Sequence, residues 1–300
     1  MRPNLCIKDC KMGKNFNYLQ LALDLRRGQW LIYGAESLLP LANDFLSRRP
    51  VPGAALEDYS VSTFVLSDSG NIAPGSAEDG SVRRVVVVPL HGALTKYDTC
   101  DTYGTAGIAA KMDEFINDDE VVGFVLDIDS PGGAENAIFP IVSAIGRAKA
   151  AGKPVIVHCD SCYSAAYWVA SQCDAIFADN ERSGLGSIGA YAQILDDRED
   201  KMTGYKLITI YAPESKDKNL AYREALDGKT GKMEEQLSEL VAAFHSAVKA
   251  GRPSLKADAD GVMSGATFKA AKAIELGLAD GMGSLEDCIQ NVFIRSEFSN

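Results

Sequence analysis

Three short stretches of this chain carry residue types suited to acyl transfer. They are "CYSAAYWVA" around Ser164, "DSPGGAENA" around Gly132 and Gly133, and "APESKDKNLAYREALDG" around Lys216. In the first, a serine stands where an apolar run gives way to a helical pattern. Such a serine is either a helix N-cap or a nucleophile. Ala165 and Ala166 beside it leave room for a substrate chain. In the second stretch, two glycines close an apolar strand and open a helix. They permit unusual backbone angles and leave N–H groups uncovered. Amides at a helix N-terminus favour an anion. In acyl transfer that anion is the tetrahedral oxyanion, and one such donor can be worth ~3 kcal/mol. A plain strand-to-helix turn would need the same glycines. The G-x-x-x-x-G-K-[ST] pattern of a phosphate loop is missing, so nucleotide binding is not expected.

A nucleophilic serine needs a base. The three histidines are His91 just after a strand, His158 within a strand and His245 on a helix face. None falls into a Ser-His-Asp ordering, and each fits a core or surface role. A lysine is the other option. With an unperturbed pKa near 10.4, only ~10⁻³ to 10⁻⁴ of it is neutral at pH 7, a deficit of about 4–5 kcal/mol. Desolvation must offset that deficit. Lys216 follows the apolar run "YKLITIYA", but its loop has few large apolar residues. Composition alone would leave it solvated.

The elements that must position these residues follow from the patterning. Residues 67–81, "SDSGNIAPGSAEDGS", form a linker or exposed loop, and 1–66 form an N-terminal helical segment. Within that segment "YLQLALDLRRGQWLI" and "AESLLPLANDFL" space leucines as a helix does. From 82 to 295 strands and helices alternate. "RRVVVVPL", "VVGFVLDID", "KPVIVHCD" and "AIFAD" are apolar, β-branched strands that suit burial on both faces. "AGIAAKMDEFIND", "AIFPIVSAIGRAKAAG" and "SAAYWVASQ" are the intervening helices, with Gly152 closing the second. "KMEEQLSELVAAFHSAVKAG" and "GATFKAAKAIELGL" extend the helical pattern to the end. The expected fold class is α/β, a largely parallel sheet flanked by helices.

Composition narrows the partners. The 300 residues are 46% hydrophobic and carry 30 basic against 41 acidic side chains, a net charge of −11. That balance excludes nucleic acid or anionic lipid gripped by bulk charge. Seven cysteines form no disulfide framework, and Cys159–Cys162 is a lone C-x-x-C pair. Buried reduced thiols are expected, with no metal and no cofactor. No apolar run reaches the ~18 residues of a membrane span. "MRPNLCIKDCKMGKNF" lacks the apolar centre of a secretory signal, so a cytoplasmic protein is expected.

Five motifs in order carry a resemblance: "DSPGG", "YSAAYWVASQCDAIFA", "GLGSIGAYA", "SKDKNLAYREAL" and "MSGATFKAAKAIELGLADGMGSLEDCI". Over roughly residues 83–290 the chain resembles the signal peptide peptidase A family of serine proteases. The resemblance implies a Clp protease/crotonase-like fold and a Ser-Lys dyad. It implies Ser164 as nucleophile, Lys216 as general base, Ser187 as a serine that orients the lysine, and Gly132 and Gly133 as the oxyanion turn. Lys218 competes with Lys216, but the following Asp217 and the downstream Arg223-Glu224 pair favour Lys216. The chain departs from the family where Ala165 and Ala166 replace glycines and where no membrane anchor is evident. The leader "RGQWLIYGAESLLPLANDFL" is similar to that of phage head maturation, or capsid assembly, proteases. That branch implies scaffold or capsid proteins as substrates, in the host cytoplasm or procapsid. The family further implies a homo-oligomeric ring in which neighbouring subunits share the dyad. The alternatives are a cellular signal-peptide-peptidase-like protease, a crotonase-like acyl-CoA enzyme and an inactive capsid component.

Overall fold

The computed structural model describes residues 29–32, 59–66, 72–75, 83–99, 102–194 and 209–298. Its strands are β1 (Gln29–Ile32), β2 (Ser62–Leu66), β3 (Ile72–Pro74), β4 (Arg84–His91), β5 (Val121–Ser130), β6 (Gly132–Ala134), β7 (Val155–Tyr163), β8 (Ala175–Ala178), β9 (Gly184–Gly186), β10 (Tyr191–Ala192), β11 (Thr267–Lys269) and β12 (Gly281–Met282). Its helices are α1 (Thr105–Ile116), α2 (Ile138–Ala150), α3 (Ala165–Ala170), α4 (Leu220–Leu226), α5 (Gly231–Gly251), α6 (Ala270–Glu275) and α7 (Leu285–Glu297).

The β-branched runs form the centre because each strand has helices to cover both its faces. Strands β4, β5, β7 and β8 are mutually parallel. Val86, Val88, Phe124, Leu126, Val155 and Val157 join the core cluster that contains residues of α1, α2 and α3. Val85, Val87, Val125 and Ile156 pack instead with Ile289, Val292 and Phe293 of α7. A capping box starts α7: the Asp287 amide donates to the Ser284 hydroxyl, and the Ser284 amide donates back to the Asp287 carboxylate. The expected α/β sheet with flanking helices is the observed architecture.

Strand β7 forks, and that fork builds the site. Residues Ile156 to Cys159 pair with β8, while Ser161 to Tyr163 pair with β9. The chain thus leaves one neighbour and takes another just before Ser164. On the far side β11 closes the edge by pairing antiparallel with β9.

Three sequence expectations differ from the structure. Gln29–Ile32, placed in a helical leucine pattern, is a strand. It is paired on both sides, with β6 and with β10, and two sets of ladder bonds override helical spacing. The remainder of both leucine-rich stretches lies outside the described residues. Ser62–Leu66 and Ile72–Pro74, read as helical segment and linker, form a hairpin added antiparallel to β4. Thr267–Lys269, read as the start of a helix, is β11, and only Ala270–Glu275 is helical there. Of the apolar run "YKLITIYA", residues 209–212 are irregular and the rest lies outside the described residues.

The four cysteines among the described residues, Cys159, Cys162, Cys173 and Cys288, are buried free thiols as expected, and the other three lie outside the described residues. Burial pushes the Cys162 and Cys173 thiols far up and Cys288 up to about 12, so none is an available thiolate near neutrality.

The turn after α6 is clamped by one ion pair. Arg252, 5% exposed, donates to both carboxylate oxygens of Asp280 at 2.7 and 2.9 Å and to the Gly277 carbonyl. Asp280 also accepts the Ile176 amide of β8 at 2.7 Å. Asp280 itself is exposed, so water can solvate its carboxylate once the arginine is gone, and the loss is that of the bidentate pair and of the Gly277 contact. Arg252→Ala is expected to cost about 1–2 kcal/mol of unfolding free energy, read from the urea midpoint at unchanged slope.

Candidate active site

Ser164 sits where β7 ends and α3 begins. Its backbone is left-handed, φ 54° and ψ −117°, which costs a non-glycine residue about 1–3 kcal/mol. The residue is 1% exposed. Although it occupies the N-cap position, its side chain makes no capping hydrogen bond. The capping explanation of this serine therefore fails. The hydroxyl points elsewhere, toward the Gly189 carbonyl at 3.4 Å. Its amide is held by the Gly186 carbonyl at 2.8 Å, which fixes the turn. The following amide, of Ala165, is the first of α3 and has no acceptor within the helix.

The residues behind the serine are packing residues. Tyr167 is fully buried and its hydroxyl donates to the Leu278 carbonyl at 3.0 Å. Trp168 stacks on Phe244 of α5 at 4.8 Å. Ala165 and Ala166 are fully buried as well, so larger side chains there would have no room.

The glycine turn lies beside this helix, α3 packing against β6. Gly132 takes φ 102°, and its amide is already partnered by the Ser130 hydroxyl at 3.2 Å. Gly133 is a glycine because a Cβ there would stand 2.1 Å from the Leu94 carbonyl oxygen. The Leu94 amide donates to the Gly132 carbonyl at 2.8 Å, and the Ala134 amide donates to the Leu94 carbonyl at 2.9 Å. Strand alternation then turns the Gly133 N–H and C=O the other way, toward Leu31 of β1, its antiparallel partner. Of the two glycines, Gly133 presents its amide away from the body of the fold.

Ser187 lies near Ser164 through the backbone, since Gly186 accepts the Ser164 amide. It too has a positive φ, 55°, and its amide is anchored on the Ala266 carbonyl at 2.8 Å. Among the described non-glycine residues only Ser164, Ser187 and Asn219 have positive φ, and two of these three are candidate site residues. Lys216 is not brought to them. It is exposed at the end of a short 3₁₀ turn, Pro213–Ser215, and no hydrogen bond joins it to Ser164 or Ser187. Its carbonyl accepts the Arg223 guanidinium, which in turn lies 4.4 Å over the Tyr211 ring. The structure thus unites Ser164, Ser187, Gly132 and Gly133 and leaves Lys216 at the surface.

A second polar cluster was not anticipated. His158 bridges two carboxylates, Asp127 at 2.7 Å and Asp179 at 3.1 Å, and His91 contacts the other oxygen of Asp127 at 3.2 Å. The signal was present in the sequence: a titratable residue within each of three adjacent strands, His91 in β4, Asp127 in β5 and His158 in β7. Only the register Asp127↔His158 makes them neighbours. Burial alone would lower His158, but its hydrogen bonds to Asp127 and Asp179 outweigh it and the pKa is raised. The bond to Asp127 likewise raises His91. Burial works to raise Asp127, but the two histidines outweigh it and hold the carboxyl far below the usual range. No described histidine hydrogen-bonds Ser164. His245 on α5 has its pKa lowered by burial and lines an open groove with Ala190, Leu237 and Val241.

Among the described residues no group of side chains could hold a metal ion, and no helix is long and apolar enough to cross a membrane.

The profile of Peptidase family S49 matches residues 147–297. The Head-tail preconnector protein GP5 of Enterobacteria phage P21 is 29% identical over 75% of this chain and 46% of its own length. Protease 4 of Salmonella typhi is 25% identical over 68% of this chain and 33% of its own. The chain thus spans less than half the length of these curated relatives. Among solved structures, a 1510-N membrane-bound stomatin-specific protease mutant in complex with a substrate peptide is 17% identical, with a TM-score of 0.34 over 66% of this chain and 74% of that one. An enoyl-CoA hydratase from Shewanella pealeana is 14% identical, with a TM-score of 0.42 over 72% and 71%.

The histidine cluster fixes a pH dependence. His158 is raised on folding, so its stabilisation is complete below the ordinary histidine value near 6.5 and is lost as pH rises through its folded value. Asp127 is lowered, so its share is complete above the ordinary carboxylate value near 4 and is lost as pH falls. Urea unfolding is expected to show greatest stability between about pH 4.5 and 6 from this cluster. His158→Gln should cost about 2 kcal/mol at pH 6, clearly less at pH 9, and flatten the alkaline decline.

Proposed function

This chain belongs to Peptidase family S49, and from that premise we propose that it is a serine endopeptidase working through an acyl-enzyme on Ser164, with Lys216 as its base. The observation that carries the reading is the state of Ser164: strained, buried, at a strand-to-helix turn, and not used as a cap. Strain of this kind persists where the surroundings over-determine it, and it aims the hydroxyl rather than the backbone.

The chemistry follows from the groups around it. The Ser164 oxygen attacks a peptide carbonyl while its proton passes to a neutral lysine amine. The carbonyl oxygen, becoming an anion, takes hydrogen bonds from the Gly133 and Ala165 amides. The Gly133 amide faces Leu31 of β1 in this structure and is freed for substrate when that strand leaves, and the Ala165 amide is the first of α3. The lysine returns the proton to the leaving amine, and a water then repeats the sequence to free the acid. Ser187, whose amide is anchored on the Ala266 carbonyl, is the residue to which this reading gives the orienting of the lysine. Histidine is a poor alternative base, because His91 and His158 are both committed to Asp127.

Lys216 is exposed in the single chain, and a solvated lysine is almost wholly charged at neutral pH. We propose that assembly supplies the desolvation: neighbouring subunits of a homo-oligomer bury Lys216 against Ser164. The likeness to the phage preconnector protein supports a part in capsid assembly, with scaffold or capsid proteins as substrates. The reading takes the protease domain to include β2 and β3, which are added to the sheet at β4.

Two outcomes are expected. With an unstructured protein substrate, Ser164→Ala and Lys216→Ala should each reduce kcat by at least about 10³-fold. Cleavage by both variants at the parent rate would end the dyad assignment. In size-resolved assays the activity should run with an oligomer, and a fully active monomer would refute the shared dyad.

A further inference from the structure

Strand β1 lies in an unusual place. It forms a three-stranded sheet of its own, in the order β10-β1-β6, and is antiparallel to both neighbours. Trp30 stands opposite Ala134 on one side and Tyr191 on the other. Leu31 stands opposite Gly133 and Ile32 opposite Gly132, so the strand runs its C-terminal end along the glycine turn. Neither neighbour belongs to the large sheet. Take β1 away, and both β6 and β10 present open edges to the same slot.

Two facing open edges are a receptor for an extended peptide, because each adds ladder bonds to whatever main chain enters. The recognition is by main chain and so tolerates many sequences. The Gly133 amide and carbonyl, turned away from Leu94, are the β6 groups that such a peptide would meet. In this structure they face Leu31 instead. A groove lined by Ala190, Leu237, Val241 and His245 opens next to β10 and adds apolar surface at the slot's margin.

We infer that Gln29–Ile32 acts as an internal pseudosubstrate: it fills the cleft that an extended polypeptide substrate requires and holds the chain closed until it is displaced. The inference rests on the reading of Ser164 as nucleophile only for the name of the cleft, since occupancy of the slot is a matter of strand pairing. One segment of the chain and an incoming polypeptide compete for the same edges and for the Gly133 amide. The apparent affinity for a peptide is then reduced by the fraction of molecules whose slot is open.

The test uses the full chain carrying Ser164→Ala, so that nothing is hydrolysed. The probe is a fluorescent peptide of sequence RRGQWLIYGA, copied from residues 26–35. Its binding is compared with and without the pair Trp30→Pro and Leu31→Pro, which removes amides from the strand and blocks its pairing. The proline pair should raise peptide affinity at least about tenfold, as expected when the slot is nine-tenths closed. Amide exchange at Gly133 and Tyr191, the residues opposite Leu31 and Trp30, should be slow in the parent, fast in the proline variant, and slow again once peptide is added. Equal affinity in both proteins, or exchange at those amides untouched by the prolines, would overturn the inference. Because Ser164 is absent from both proteins, failure of the chain with Ser164 intact to hydrolyse peptides would sink the enzymatic reading and leave this result standing.

Discussion

The hydrogen bond from the Ser164 amide to the Gly186 carbonyl, 2.8 Å long, is the constraint on which the site depends. A serine at φ 54° does not hold that conformation by itself. It holds because the strand before it and the strand beside it are both fixed. Tyr163 pairs with Gly186, and Gly186 takes φ 113° with no Cβ to oppose the Ala266 carbonyl. The next amide, of Ser187, then bonds to that same carbonyl. One turn thus determines where two serines lie, and both are left-handed.

That constraint depends on the forked sheet. β7 is buried between two helical layers and releases β8 to take β9 within its last five residues. β11 locks β9 from outside, and the Arg252–Asp280 pair ties the following turn to β8. Because the core behind Ser164 is filled by Tyr167, Trp168 and Phe244, strain at the turn cannot relax by moving the helix back. The catalytic geometry and the packing are the same structure seen from two sides.

The electrostatics divide the site into two parts. The Asp127–His158–Asp179 chain sits between strands and is internally satisfied, so it stabilises the sheet and takes no proton from Ser164. Ser164 lies among backbone dipoles, and its hydroxyl reaches the Gly189 carbonyl rather than an ionisable group. Under the proposed reading a base is brought in, and burial of a lysine by a second subunit is the route that the exposed Lys216 leaves open. The proposed occupation of the cleft by β1 would add another layer of control, since a closed cleft and an unassembled base would each hold activity back.

Some of this was legible in the sequence. Continuous β-branched runs can only be buried strands, and the helices between them showed their apolar stripes, so the parallel α/β sheet followed. Gly132, Gly133, Ser164 and Ser187 were visible as glycine turns and small-residue motifs in order. Other features were not legible, for a common reason. Pairing of Gln29–Ile32 with two distant edges, the β2–β3 hairpin on β4 and the Asp127↔His158 register depend on partners elsewhere in the chain, about which local spacing has no information. Helical spacing of leucines lost to two open sheet edges at Gln29–Ile32. Whether Ser164 caps its helix was also undecidable locally, because cap and nucleophile require the same residue in the same place. Only the folded turn, which points the hydroxyl away from the helix amides, decided it.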